Sequence, residues 1–245
     1  MRPIRWACAA ALSALLLTQT LQARPIVFAR STMAMVDYRE GSMAEAQVFY
    51  APSSYLSMGL GHMELDDGGT DVRHAVTFAR LNLLAKRWNM AGAQANVFVW
   101  GGLGSAYLGG WTYQPSQPPP SGHDHGPPPE ATGPVQVASR QAFSYNAGGQ
   151  IDYETRRVYL SFKTDLYDSD LFWHRADTLQ FGIAPYQHDT NTLATWFVIS
   201  GRNYTGDMHE DTELAFLLRF FKKRAWLEAG ATTEGKIQAM AMFSF

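Results

Sequence analysis

Apolar and polar residues alternate along most of this chain, most clearly in the last ten residues, from Lys236 to Phe245. One side of an extended strand would carry Ile237, Ala239, Ala241, Phe243 and Phe245, and the other Gln238, Met240, Met242 and Ser244. Because successive side chains of a strand point to opposite faces, this period of two predicts a β-strand with one apolar face. Soluble chains usually end in frayed polar residues, so a terminal Phe245 favours a strand whose apolar face contacts lipid.

Similar segments recur through the sequence and predict about twelve strands separated by turn residues such as Pro52-Ser53 and Glu154-Thr155. The predicted strands cover approximately residues 27–38, 44–51, 54–64, 72–85, 93–108, 140–153, 156–167, 177–186, 192–201, 212–221, 225–231 and 236–245. An even number of strands returns the C-terminus to the end where the chain began. The three longest predicted connections, at 65–70, 109–137 and 202–211, all follow odd-numbered strands and would lie at the opposite end.

The first residues of the chain have the form of a secretory signal peptide. Arg2 and Arg5 precede an apolar run from Trp6 to Leu17, which is too short to span a bilayer as a helix. Polar residues follow, and a small residue, Ala23, supplies a cleavage position. We therefore expect residues 1–23 to be removed on export, with an uncleaved anchor as the alternative.

Composition excludes several other classes of protein. Removal of Arg2 and Arg5 would leave 18 basic residues against 22 acidic residues, and this balance argues against nucleic-acid binding. Cys8, the only cysteine, lies within the export segment, so the exported chain would have neither a disulfide nor a thiolate metal site. Residues 24–245 contain no apolar stretch of about 18 residues, so their insertion into a membrane would require a closed barrel. Their length suits a single β-domain.

The export segment, the alternating strands and the aromatic C-terminus together resemble those of Gram-negative outer-membrane β-barrel proteins. The resemblance is specific at two places, the export segment and the strand that ends at Phe245. It implies an all-β fold, an antiparallel up-and-down transmembrane barrel of about 12 strands in the outer membrane. It also implies contact with outer-membrane lipid and recognition of the terminal strand by the barrel-assembly machinery. A soluble β-sandwich would alternate in the same way and is the alternative fold.

Charged and polarizable residues in the middle of several predicted strands lie opposite large apolar residues and predict a polar barrel interior. These candidate lumen-lining residues are Arg80, Lys163, Asp165, Arg219, Glu228, Met240 and Met242. Inside a barrel, side chains of opposite charge can neutralise one another, whereas on a sandwich they would be solvated outer positions. A barrel of about twelve strands holds a narrow channel or is filled by side chains.

Histidine and methionine residues at the predicted loops suggest association with a transition metal. The candidate ligands are His123, His125, Met208, His209, His62 and Met63. Two of them bracket Asp124 between the proline tracts of the long predicted loop 109–137. Imidazole and thioether groups suit copper, although the spacing is not that of a closed zinc site. A hydrophilic loop, with methionine used for packing, is the alternative.

These patterns support a narrow pore or a copper-associated barrel, with no cofactor that the sequence makes certain. A barrel enzyme that acts on lipid or peptide and a structural or adhesion barrel are the alternatives. The chain has no Gly-x-Ser-x-Gly, His-Glu-x-x-His or phosphate-loop motif. Ser144 and Asn146 have no histidine adjacent to them in the sequence, and carboxylates such as Asp66-Asp67 are typical of solvated loops.

Overall fold

The computed structural model describes residues 29–66, 71–112, 135–187, 192–208 and 210–245. They form twelve strands: β1 (Ser31–Arg39), β2 (Met43–Ala51), β3 (Leu56–Leu65), β4 (Asp71–Met90), β5 (Ala93–Thr112), β6 (Val135–Thr155), β7 (Val158–Ser169), β8 (Trp173–Ile183), β9 (Ala194–Gly206), β10 (Asp211–Lys222), β11 (Ala225–Thr232) and β12 (Ile237–Ser244). Each strand pairs antiparallel with its neighbours in sequence, and β1 pairs with β12 to close the sheet. The predicted antiparallel up-and-down barrel is confirmed. The part of the chain that the structure describes contains no helix long and apolar enough to cross a membrane.

The C-terminal strand completes the barrel. The register between β1 and β12 runs from Met33 opposite Ser244 to Arg39 opposite Gln238, and the backbones of Thr32 and Phe245 exchange two hydrogen bonds of 2.9 Å. The apolar phase of β12 faces outward, with the side chains of Ile237, Phe243 and Phe245 exposed. Closure leaves no unpaired sheet edge, which is the condition that a strand backbone must meet within a bilayer.

Large apolar side chains cover the outer wall of the barrel. Leu60 and Phe143 each expose 65% of their surface, and Leu103 exposes 61%. The same wall carries Val36, Val48, Leu81, Ile151, Leu160, Leu179, Phe197, Ile199, Phe216 and Leu227. An apolar surface of this extent is unfavourable in water and suits the hydrocarbon of a membrane. A closed antiparallel barrel with such a wall is an outer-membrane β-barrel.

The two open ends of the barrel differ in the connections that they carry. The terminus end, where β1 begins and β12 finishes, has connections at 52–55, 91–92, 156–157, 184–193 and 223–224. The loop end, opposite, has connections at 40–42, 66–70, 113–134, 170–172, 207–210 and 233–236. The predicted loop at 202–211 is wrong, because β9 continues to Gly206, and one of the longer connections, 184–193, lies at the terminus end. The two ends therefore differ less in loop length than the sequence predicts.

Strand β4 continues beyond its predicted end at Ala85. A β-bulge between Leu84 and Lys86 shifts the pairing with β5, after which the two strands stay paired to Met90 and Ala93. The predicted connection at 86–92 therefore shrinks to a tight turn. A bulge changes which face each side chain meets, and this broke the alternation on which the prediction depended.

Strands β5 and β6 extend into both ends of the predicted loop 109–137, because β5 continues to Thr112 and β6 begins at Val135. Strand β6 pairs with β5 from Val135 onward but with β7 only from Ser144. At ~3.4 Å per residue, the β5–β6 hairpin projects past β7 at the loop end by about 30 Å along the strand.

Candidate functional site

Polar and charged side chains fill much of the barrel interior. Those that are buried include Arg39, Glu45, Gln47, Arg80, Gln94, Asn96, Asn146, Asp152, Arg202, Glu213, Arg219, Glu228 and Gln238. They lie on the inward phase of strands whose outward phase is apolar, as in β2, where Glu45 and Gln47 are buried and Val48 is exposed. A charge removed from bulk water must be paired or hydrated, so the partners of these groups define what the interior can do.

A cavity of about 250 Å³ occupies the interior toward the terminus end. Its cationic wall residues are Arg39, Lys163, Arg202, Arg219 and Arg224, and its carboxylates are Asp37, Glu45, Asp152, Glu154 and Glu228. Apolar, aromatic and thioether groups also line it: Met35, Phe98, Tyr159, Phe221, Trp226, Met240 and Met242. Arg224 belongs to the turn at 223–224, so the wall reaches the terminus end. The cavity therefore offers both signs of charge to a small solute that enters from that end.

The ion pair between Arg219 and Glu228 is the most enclosed one on the cavity wall. The two residues are register partners on β10 and β11, and Arg219 donates from Nε to Oε2 of Glu228 over 2.5 Å. Their side chains expose only 3% and 5% of their surfaces. Arg219 also donates to Gln180 over 2.8 Å, and its guanidinium lies between the rings of Tyr159 and Trp226. These contacts hold the arginine in one position.

A second charged group surrounds Asp165 in the middle of the barrel. Lys163 lies two residues earlier on β7, so both side chains point inward, and its Nζ is 2.6 Å from Oδ2 of Asp165. The indole of Trp100 donates to Oδ1 of Asp165 over 2.9 Å. Lys163 also lies over the Trp100 ring. This carboxylate therefore has two strong partners.

Arg80 connects the Asp165 group to the opposite wall. It donates to Asn146 Oδ1 over 2.9 Å and to the Tyr167 hydroxyl over 2.5 Å, and it lies 4.0 Å from Asp165. The Tyr167 hydroxyl donates in turn to Glu45 over 3.2 Å. Buried charges with this many partners form a rigid network across the lumen.

A column of hydrogen-bonded polar side chains, which we call the polar column, leads from the cavity to the loop end. It begins at Arg39, which lines the cavity and donates to Oε1 of Gln238 over 2.8 Å. Gln238 donates to Oε2 of Glu213 over 3.2 Å, and the Ser42 hydroxyl donates to Oε1 of Glu213 over 2.9 Å. The ammonium of Lys236 lies 4.0 Å from the same oxygen of Glu213. Ser42 and Lys236 belong to loop-end connections, so the column spans the distance from cavity to rim.

Lys236 is the cation at the loop-end rim of this column. It lies in the connection 233–236, outside the strands, and its ammonium is 2.9 Å from Oε2 of Glu234. The hydrogen bond to Glu234 raises the pKa of Lys236. The rim of the column therefore keeps a positive charge throughout the neutral pH range.

Elsewhere at the loop end, an apolar cluster fills the interior. This loop-end cluster consists of Met63, Leu65, Val76, Phe78, Ala106, Tyr167, Phe172 and Met208. The Phe78 ring lies directly over Gly61, its register partner, where an added Cβ would come within 2.3 Å of the ring. The Phe78 ring therefore takes up the space that a side chain at Gly61 would need. The cluster blocks this side of the lumen.

The predicted lumen-lining residues have the following positions in the structure. Lys163, Arg219, Glu228, Met240 and Met242 line the cavity. Asp165, partly buried, and Arg80, buried, lie beyond it toward the loop end. Five other buried charged residues of the interior, Arg39, Arg202, Glu213, Glu45 and Asp152, are absent from the predicted set. The first two were assigned to connections because the apolar phase weakens near them, although they continue the inward phase of β1 and β9.

The predicted metal ligands are mostly kept apart. Met63 and Met208 come together, but in the apolar loop-end cluster. His62 is exposed on the outer wall, so it cannot share an ion with its neighbour Met63, which faces inward. His123, His125 and His209 lie outside the described residues. Within the described ranges, no group of three or more histidine, cysteine, aspartate or glutamate residues is placed to hold a metal.

A different set of thioethers comes together inside the barrel. Met35 and Met242 are register partners between β1 and β12, and both line the cavity with Met240. Opposite Cβ atoms of an antiparallel pair lie about 4.5–5.5 Å apart, which is within reach for two thioethers and one ion. Met35 was missed because β1 carries apolar residues on both phases, which left its inward face undecided in the sequence.

Comparison with known proteins identifies no family model and no curated protein that matches this sequence. Among solved structures, a loop L8 deletion mutant of OmpT, an outer membrane protein of Vibrio cholerae, is 9% identical with a TM-score of 0.28. That match covers 88% of this chain and 97% of the other. OmpT itself, folded in vitro, is 8% identical with a TM-score of 0.27 and coverages of 88% and 96%. We draw nothing from likenesses of this size, and the barrel assignment rests on the strand pairing and the apolar wall.

Proposed function

We propose that this outer-membrane barrel is a narrow pore for small charged solutes and that its constriction lies at the loop end. The observation that carries the proposal is the polar column, which continues the charged cavity from Arg39 through Gln238 and Glu213 to Lys236 at the rim. A continuous polar path through an apolar-walled barrel is what a channel requires.

The polar column also limits what such a pore admits. Its successive hydrogen bonds, between 2.8 and 3.2 Å long, leave little room between Arg39, Gln238 and Glu213. A solute can pass only where water or the solute itself replaces these bonds. The pore therefore favours small ions and polar molecules that can exchange hydrogen bonds with the wall, and its conductance is small.

The test is single-channel conductance of the purified full chain in planar bilayers. We expect small, discrete conductance steps, and we expect larger steps when the polar column is truncated in a Glu213→Ala, Gln238→Ala variant. The matched control is Phe172→Ala, which removes a comparable volume from the loop-end cluster. If only the cluster variant conducts more, the path does not follow the polar column. A silent wild-type barrel that is fully inserted contradicts the pore.

Association with a soft metal ion is the second candidate function, and the thioether pair at the β1–β12 seam favours it. Met35 and Met242 face each other across the seam, and Met240 lines the same cavity. Thioethers select Cu(I) over harder ions, whereas packing is the usual use of methionine. A passage for copper would place these side chains in contact with the moving ion.

Titration of the purified barrel with Cu(I), and with Ag(I) as a redox-inert substitute, tests this candidate. We expect the Met35→Leu, Met240→Leu, Met242→Leu variant to lose bound metal while it keeps the shape of the wall. A His123→Ala, His125→Ala variant tests the loop histidines separately with Cu(II). Unchanged metal uptake in both variants contradicts metal association at these groups.

A further inference from the structure

A hydroxyl, an imidazole and a carboxylate form a hydrogen-bonded series on the outer wall of the barrel, independent of the lumen. His62 and Thr77 are register partners on β3 and β4, and both side chains are exposed on the lipid-facing side. Nδ1 of His62 lies 2.8 Å from the Thr77 hydroxyl, and Nε2 lies 3.4 Å from Oε1 of Glu64. Arg73 donates to the same carboxylate. Both ring nitrogens of His62 therefore have a partner on the membrane side.

The position of this series in the membrane is as informative as its composition. Leu60, two residues before His62 on β3 and on the same face, exposes 65% of its surface, and Leu103 on β5 exposes 61%. His62 and Thr77 lie one step nearer the loop end than these apolar residues. They therefore occupy the boundary at which the apolar wall gives way to polar groups. Acyl ester bonds of membrane lipids lie at this depth, between the hydrocarbon and the headgroups.

The other histidines in the described part of the chain do not share this setting. His74 and His174 are buried inside the barrel, exposing 6% and 1% of their surfaces, whereas the His62 side chain exposes 45%. Beneath the series, Ala75 lies on the outward phase of β4 and yet is 4% exposed. Neighbouring side chains therefore cover Ala75, whereas Thr77, two residues further along the same phase of β4, stays exposed.

We propose that Thr77, His62 and Glu64 form a catalytic site that hydrolyses the acyl ester of a membrane lipid. A hydroxyl beside an imidazole that a carboxylate orients is the arrangement of an activated nucleophile, and it is recognised by geometry rather than by sequence position. The substrate class follows from the depth of the site, because the ester of a lipid that lies against the wall comes level with Thr77. Arg73 supplies a cation beside the site for an anionic headgroup.

The reaction proceeds in two balanced steps. The Thr77 oxygen attacks the ester carbonyl carbon while its proton moves to Nδ1 of His62, and the departing alkoxide oxygen of the lipid takes that proton as its bond to the acyl carbon breaks. Water then adds to the acyl-threonine ester with His62 as the base, which releases the fatty acid and restores the hydroxyl. Glu64 is a positioning residue that orients the ring and stabilises its protonated form. The sum is ester plus water to carboxylic acid plus alcohol.

The test measures fatty acid released by the purified, folded full chain. Two lipids are supplied separately, vesicles of phosphatidylethanolamine with phosphatidylglycerol and purified lipopolysaccharide, because both carry acyl esters near an anionic headgroup. We expect release from at least one of them, with the productive arm identifying the source. His62→Ala and Thr77→Val should each lower the rate by about 10³-fold or more, as loss of a nucleophile or its base does elsewhere. Thr77→Ser keeps the hydroxyl and should retain the rate of fatty acid release.

Matched controls separate catalysis from the integrity of the wall. Tyr107→Phe removes a hydroxyl from another outer-wall pair, the Tyr107–Ser139 contact of 3.1 Å, and should leave the rate unchanged. Glu64→Gln should lower kcat with little change in KM, since the residue acts through His62. No release from either lipid by the folded wild-type chain overturns the proposal, and so does equal release by Thr77→Val. If the variants fold poorly, labelling of the wild-type chain by an alkyl fluorophosphonate decides, and an unlabelled Thr77 overturns it.

Discussion

At the loop end of the lumen, Phe78, Met63 and Phe172 pack into an apolar cluster without charged members. At the terminus end, Arg219 and Glu228 form an ion pair on the wall of a cavity of about 250 Å³. Both regions lie inside one barrel, and the strand residues of each belong to the inward phase. The difference shows that a barrel interior need not be uniform, since one part can be filled by side chains while another is left as a cavity.

The polar column runs beside the loop-end cluster rather than through it. Strands β3 to β5 and β7 supply the Met63, Phe78, Ala106 and Tyr167 members of the cluster, whereas β1, β10 and β12 supply Arg39, Glu213 and Gln238. The barrel is therefore closed on one side by packing and narrowed on the other by hydrogen bonds. Separating the packed side chains of the cluster costs free energy that nothing replaces. A hydrogen bond of the polar column can be exchanged for one to water, so a solute can pass on the polar side.

Replacing a phenylalanine with alanine in the loop-end cluster and on the cavity wall should give the largest difference in the free energy of unfolding. Phe78→Ala removes a buried ring from the dry cluster and should lower the free energy of unfolding by about 3–5 kcal/mol. Phe221→Ala should cost less, because the Phe221 ring borders the cavity on one side and water can enter the space that its loss opens there. Urea unfolding of the barrel in vesicles, followed by tryptophan fluorescence, measures both. Equal losses would mean that the cavity is as dry as the cluster.

Loss of one partner of the Arg219–Glu228 pair should have the next largest effect. Glu228→Ala leaves a buried guanidinium without its carboxylate and should cost about 3 kcal/mol. The double variant Arg219→Met, Glu228→Met removes both charges and should stay within about 1 kcal/mol of the wild type, since such replacements are often neutral. The same unfolding measurement compares the single and double variants. A double variant as unstable as the single one would assign the pair a role beyond charge balance.

The outward-facing residues of the strands made the fold predictable from the sequence, whereas the inward-facing residues did not. The outward phase is apolar almost everywhere, and it predicted the strand number, the closed barrel and the outward positions of Ile237 and Phe243. The inward phase mixes apolar, polar and charged residues, since the interior is part cluster and part cavity. The end of β9 near Arg202 was therefore misplaced, because a polar inward residue and a loop residue look alike in sequence, whereas the β-bulge caused the misplaced end of β4.

The candidate sites were less predictable than the fold because they depend on pairing across strands. The Met35–Met242 pair requires the register of β1 against β12, and the polar column requires Ser42 and Glu213 to meet although they lie far apart in sequence. The hydrogen-bonded series on the outer wall likewise requires the register of β3 against β4, which places Thr77 opposite His62. Histidine, methionine and threonine could be selected by chemistry, but only the register decides which of them meet.

A smaller effect should follow from adding a methyl group beneath Phe78. The Cβ of a Gly61→Ala variant would lie 2.3 Å from the Phe78 ring, so the ring must move. Overpacking of this kind costs about 1–3 kcal/mol. Gly201→Ala is the matched control, since an added Cβ there meets no atom within 4 Å. A Gly61→Ala barrel as stable as the Gly201→Ala barrel would show that the loop-end cluster repacks freely and is not the rigid side of the lumen.

The smallest effect concerns the rim of the polar column. Lys236→Gln removes a partly exposed ammonium from beside Glu234 and should change the free energy of unfolding by less than about 1 kcal/mol, and less still at high salt. The hydrogen bond to Glu234 raises the pKa of Lys236 above its unfolded value. The stabilising contribution is therefore complete below the unfolded pKa, near 10.5, and is lost as the pH rises through the higher folded value.

The ion selectivity of the pore should respond to Lys236→Gln more than its stability does, because the ammonium beside Glu213 lies where ions enter. A Lys236→Gln pore should favour cations more strongly than the wild type. Unchanged ion selectivity would show that ions do not enter through the polar column, and neither side of the loop end would then be the entrance of the pore.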